Sequence, residues 1–129
     1  MNHYGTRNKE SLETRSSAES VIQRVYQAVE QLCTGKGNVR ERLIPVVTAL
    51  VFLRVEDFPE ELREDFEWVI SESTKFHSEM PKYRGDIEET MRRIRNSTGE
   101  KIAQRIFKLY SRLQEIRGFP LLEYRNPND

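Results

Sequence analysis

The sequence predicts an all-α fold: a single-domain bundle of four or five helices with a central, mostly buried second helix and a flexible N-terminal arm. Three observations lead there. Apolar residues recur at helical spacing in successive segments, and Gly, Pro, Asn and Ser punctuate the intervals between them. The one segment that resembles a buried strand has no second segment to pair with, and a lone strand leaves its backbone groups unpaired.

Residues 1–15 have almost no apolar content and no period, which predicts a flexible arm ahead of a bundle spanning residues 16–118. Ser16 or Ser17 is expected to cap the first helix, whose buried stripe is Val21, Ile22, Val25, Val29 and Leu32. Gly35 or Gly37 can end it in the left-handed conformation, and Asn38 can cap the next helix. That second helix carries Leu43, Ile44, Val46, Val47, Ala49, Leu50, Val51, Phe52 and Leu53 in every direction. A helix apolar all round is covered all round, by its own bundle or by a dimer partner, and Pro45 predicts a kink or a late start.

The third helix is expected to open at Asp57-Phe58-Pro59, with the proline in the first turn where its missing N–H costs nothing. Its inner face is Leu62, Phe66, Val69 and Ile70, with Trp68 on the flank, and His77 to Gly85 reads as a loop. Asp86 is expected to cap a segment carrying Ile87, Met91 and Ile94; Ile102, Ile106, Leu109, Leu113 and Ile116 follow about a quarter turn out of phase. The break is expected at Asn96–Glu100, where Ser97 and Glu100 have capping-box spacing, making two helices or one kinked helix. Gly118 and Pro120 stop the last helix. The tail, residues 119–129, carries Phe119, Leu121, Leu122 and Tyr124, and is expected to fold back on the bundle rather than reach for a partner's groove.

Composition excludes several functional classes. The longest apolar stretch, Leu43 to Leu53, has 11 residues, against about 20 for a membrane span. The first 20 residues lack the apolar centre of a secretory signal, so the expected compartment is cytoplasmic. A single cysteine, Cys33, cannot form an internal disulfide; at the end of the first helix it is expected to be a core or boundary thiol.

Motifs for chemistry are also missing. Thr34-Gly35-Lys36-Gly37-Asn38 superficially suggests a phosphate loop, but Glu30 stands where the first glycine belongs and Gly37 where a hydroxyl residue belongs. His3 and His77 lack the helical spacing of a metal pair, and no Glu-x-x-His repeat is present. Glu60 with Glu64, and Glu61 with Asp65, share helix faces expected to point into water, where nothing raises a carboxyl pKa for acid–base work. The sequence therefore predicts no enzyme, cofactor, metal site or small-molecule ligand.

What remains is charge. Residues 56–89 hold twelve acidic and four basic residues, net −8, whereas residues 90–117 hold eight basic and two acidic, net +6. Lys101, Arg105, Lys108 and Arg112 fall in one narrow helical stripe, preceded by Arg92, Arg93 and Arg95. The acidic counterpart is Glu60, Glu61, Glu64, Asp65 and Glu67. These charges can pair at the rim of the bundle, meet another copy or a protein partner, or lie under a phosphate backbone. The chain's net charge is zero, and Phe107 and Tyr110 read as core and boundary residues, leaving no stacking platform. The sequence therefore predicts a non-catalytic protein-interaction module, a small adaptor, regulator or accessory subunit that can self-associate. The alternative is a weak, sequence-tolerant nucleic-acid binder using the basic stripe.

Overall fold

The computed structural model describes residues 19–79 and 85–116. Among these the chain is all-helical: α1 (residues 19–34), α2 (Val39–Leu50), α3 (Arg63–Ser73), α4 (Asp86–Arg93) and α5 (Asn96–Ile116), with no strand. The expected arm, the cap at Ser16 or Ser17 and the tail lie outside the described residues, as does the middle of the loop after α3.

The turn between α1 and α2 forms as its residue types require. The Gly35 N–H donates to Gln31 O at 2.8 Å, and Gly37 takes φ +90°, the left-handed region that a side chain disfavours. Asn38 and Glu41 then form a capping box. Asn38 Oδ1 accepts the Glu41 N–H at 3.0 Å and Glu41 Oε1 accepts the Asn38 N–H at 2.8 Å. Arg42 locks the turn from inside α2, donating to Gly37 O at 3.0 Å and Leu32 O at 3.1 Å.

α2 is central, lying against α3, α4 and α5. Its helical state settles the strand alternative, and it runs through Pro45 rather than starting there. Leu43, Val46, Val47 and Leu50 are buried, while Pro45, Thr48 and Ala49 face solvent. Val51 and Phe52, expected within the covered helix, instead follow its last turn and are 39% and 76% exposed.

Two short 3-10 turns, Val55–Asp57 and Glu60–Leu62, precede α3, so the helix begins later than Asp57-Phe58-Pro59 suggested. The reason is Phe58. It is buried and stacked on Phe66 with ring centroids 4.3 Å apart, drawing the chain inward before the helix can start. Arg63 secures this entry through Phe58 O (2.9 Å) and Glu56 O (3.2 Å). Leu62, Phe66 and Val69 are buried as expected.

The α4–α5 break also moves. Ile94 is extended (ψ 165°), and α5 already begins at Asn96, so Ser97 lies in its first turn and does not cap it. Gly99 is not part of the break: it is buried inside α5, where α2 crosses closely. A Cβ there would stand 3.1 Å from Val39 Cγ1 and 3.2 Å from Arg40 Cγ. Beyond it Ile102, Ile106, Leu109 and Leu113 fill the core, while Ile116, expected in the same stripe, is 38% exposed. Gly85, not Asp86, occupies the cap position of α4; Asp86 turns back to the preceding loop.

Candidate interaction surfaces

The basic stripe of α5 divides by partner. Arg105 Nη1 donates to Asp65 Oδ1 at 3.1 Å, with the Arg105 guanidinium 4.3 Å from the centre of the Trp68 ring. Lys108 Nζ reaches Asp65 Oδ2 at 3.8 Å. Asp65 is therefore not a solvent-facing partner for Glu61: it is the acceptor on α3 that two cations of α5 share. Arg112 binds Glu115 on its own helix at 2.8 Å. Lys101 is exposed and forms no ion pair among the described residues.

The cluster before the break behaves differently. Glu89 is 6% exposed and receives Arg92 and Arg93, the latter at 2.7 Å. These guanidinium groups, Arg92 first and Arg93 next, hold the Glu89 carboxyl below the usual carboxylate range. Arg93 also lies 5.2 Å from the centre of the Phe76 ring. Arg95 is exposed and without an ion pair among the described residues.

On the acidic side, Glu60, Glu61, Glu64 and Glu67 are all exposed, and none forms an ion pair among the described residues. The structure thus brings Asp65 together with Arg105 and Lys108, and leaves the other four carboxylates of that set on the outer side of α3 and the turn before it.

Three features escaped the sequence reading. Arg40 joins α2 to the α4–α5 junction: its guanidinium donates to Met91 O (3.3 Å), Ile94 O (3.1 Å) and Asn96 Oδ1 (2.8 Å). Those two carbonyls lie at the end of α4, where intrahelical donors run out. Nothing in the local sequence around Arg40 signals this. The burial of Glu89 was more accessible, since Arg92 and Arg93 stand at i+3 and i+4 from it. The third is exposure. Phe107, expected in the core, is 57% exposed, and Cys33, expected to be a packed thiol, is exposed as well. Both lie one step around their helices from the buried stripe, where helical phase alone separates core from rim poorly.

The loop after α3 is held by Asp86, which accepts the Ser78 N–H at 3.0 Å and contacts His77 Nδ1 at 3.0 Å. The Ser78 amide first, then His77, draw the Asp86 carboxyl below its usual range. The buried Thr90 hydroxyl accepts the Phe76 N–H at 2.9 Å. His77 is a loop residue, as expected, and among the described residues no group of three His, Cys, Asp or Glu side chains could hold a metal. A shallow groove of about 360 Å³ runs between α2 and α4, lined by residues including Arg40, Glu41, Ile44, Met91 and Arg92. Of its polar groups, Arg40 is engaged at the α4–α5 junction, Asn38 and Glu41 in the cap of α2 and Arg92 on Glu89, whereas Glu88 is exposed. No helix among the described residues is long and apolar enough to cross a membrane.

No family model matches the chain, and neither a curated protein nor a solved structure is significantly similar to it.

Proposed function

We propose that this chain is a non-catalytic helical interaction module, an adaptor, regulator or accessory subunit, whose contact surface is the acidic outer side of α3. The observation that carries this reading is the unequal use of the two charge sets. Arg105 and Lys108 are already engaged by Asp65, and Arg92 and Arg93 by Glu89, whereas Glu60, Glu61, Glu64 and Glu67 face solvent unpaired among the described residues. The same inequality weighs against the nucleic-acid reading, because cations held by carboxylates are poorly placed to displace counterions from a phosphate backbone. A basic protein surface is the complementary partner, with charge setting its selectivity and association rate.

The test is affinity capture with the full chain as bait, next to a bait with Glu60, Glu61, Glu64 and Glu67 all changed to Lys. A discrete partner retained by the native chain, released by salt and lost from the reversed bait is the expected result. A native chain that is monomeric by light scattering and retains the same proteins as the reversed bait refutes the reading. Gel shifts with single- and double-stranded nucleic acid at low salt are expected to be blank.

A further inference from the structure

We infer that the solvent-facing side of α2 is a self-association surface, on which a second copy of this chain packs its own α2 in the antiparallel sense. Pro45, Thr48 and Ala49 are exposed, and Phe52, just past the last turn, is 76% exposed. Val51 keeps helical geometry (φ −64°, ψ −18°), so the phase of the helix carries on to Phe52. At about 100° per residue the four side chains fall within roughly 100° of one another, which makes them one face. That face carries no charge, in a chain whose residues are 33% charged. It offers no free polar group either: Pro45 has no N–H, and the Thr48 hydroxyl donates to Ile44 O at 2.6 Å. An uncharged, exposed helix face of this kind marks a contact surface. It is separate from the acidic side of α3, so the inference stands apart from the function proposed above.

Shape and charge select the occupant. Phe52 projects, whereas Pro45, Thr48 and Ala49 are short, so one helix carries both a knob and the low surface that receives it. The order of the four positions reads the same from either end. A two-fold axis between Thr48 and Ala49 therefore seats each Phe52 on the Pro45 of the other copy, with Thr48 beside Ala49 across the axis. The charges at the two ends of the face agree with this sense. Glu41, one turn before Pro45, is exposed and has no ion pair among the described residues. Arg54, just past Phe52, reaches only Glu56 at 3.8 Å, with both side chains mostly in solvent. Antiparallel helices bring Glu41 of each copy toward Arg54 of the other, whereas parallel helices would set like charge on like. Area sets the strength. Four side chains on one helix supply less than the roughly 800 Å² that each partner buries in a stable dimer, so the association is weak and concentration-dependent.

The experiment is sedimentation equilibrium of the full chain between about 10 μM and about 1 mM, with amide resonances followed over the same range. Cys33 is exposed, so all chains carry Cys33→Ser to exclude disulfide-linked dimers. The expected result is a reversible dimer whose fraction rises with concentration, with shifts confined to residues 41–54. Ala49→Glu and Phe52→Ser should each weaken it by about tenfold or more. Both side chains lie in solvent in the single chain, so neither change disturbs the core. Arg54→Glu, which turns like charge toward Glu41 of the other copy, should weaken it several-fold. The chain with Glu60, Glu61, Glu64 and Glu67 changed to Lys should dimerise as the native one does, which separates this surface from that of α3. A chain that stays monomeric at about 1 mM overturns the inference. So does a dimer that survives both Ala49→Glu and Phe52→Ser, or one whose shifts fall at residues 60–67. A dimer unaffected by Arg54→Glu overturns the antiparallel arrangement.

Discussion

Gly37 shows how much one residue can carry. With φ at +90° it turns the chain out of α1 and into the Asn38–Glu41 box, and a Cβ there would collide with the Glu41 carboxylate. Gly37→Ala is expected to cost about 1–2 kcal/mol from backbone strain alone, with more if the box opens; urea unfolding measures it. Ser73 is the opposite case. It is fully buried and, among the described residues, its Oγ has no hydrogen-bond partner. Removing an unpaired buried hydroxyl is neutral or stabilising, and Ser73→Ala should raise the urea midpoint or leave it unchanged. A loss above about 1 kcal/mol, the net worth of a typical hydrogen bond, would show that the hydroxyl has a partner in solution.

At the scale of elements, α4 is a short helix held by its charges. Acidic residues occupy its first turn and Arg92 and Arg93 its last, in the sense that favours the helix dipole, and both arginines close on buried Glu89. The sign of the resulting pH dependence follows from the lowered Glu89 pKa. A carboxylate whose folded pKa lies below its unfolded value contributes stability above the unfolded pKa and loses it as pH falls through the folded one. Asp86, lowered by the Ser78 amide and His77, acts in the same direction. Stability should therefore fall as pH drops below about 4.5, the ordinary Glu value. Glu89→Gln should be less stable than the native chain at pH 7 and show a shallower loss toward pH 3. Urea midpoints at the two pH values give the comparison, and parallel slopes would exclude Glu89 as the source.

Across the whole molecule, the close passage of α2 over α5 and the α4–α5 junction depend on each other. Gly99 admits α2, and Arg40, whose Cγ lies against that glycine, sends its guanidinium to the carbonyls that end α4. Arg40→Met keeps the packing stem but leaves Met91 O and Ile94 O without their donor. It should cost about 1–3 kcal/mol, the range for losing a charged hydrogen-bond donor to part-buried acceptors. Gly99→Leu overpacks the crossing and should cost a similar 1–3 kcal/mol. The two losses are expected to be less than additive, since the residues touch; a double-mutant cycle followed by helical circular dichroism decides this. Strict additivity would mean that the crossing and the junction fold independently.

Periodicity and turn chemistry act locally, and what they determine was readable without a structure. The all-α class, the core faces of α1, α3 and α5, a glycine turn at Gly35 or Gly37 and the Asn38 cap are all set by residues within a few positions of one another. The element starts that were misread have non-local causes. The packing of Phe58 on Phe66 delays α3, and the approach of α2 turns Gly99 from an apparent break into a crossing point. The charge division was equally plain in the sequence, but its meaning was not. Only the packing of α3 beside α5 decided that Asp65 would take up Arg105 and Lys108 while Glu60, Glu61, Glu64 and Glu67 stayed in solvent. Helical phase says which side chains share a face; which face meets which neighbour depends on how the helices assemble, and that is settled by contacts between residues far apart in the chain.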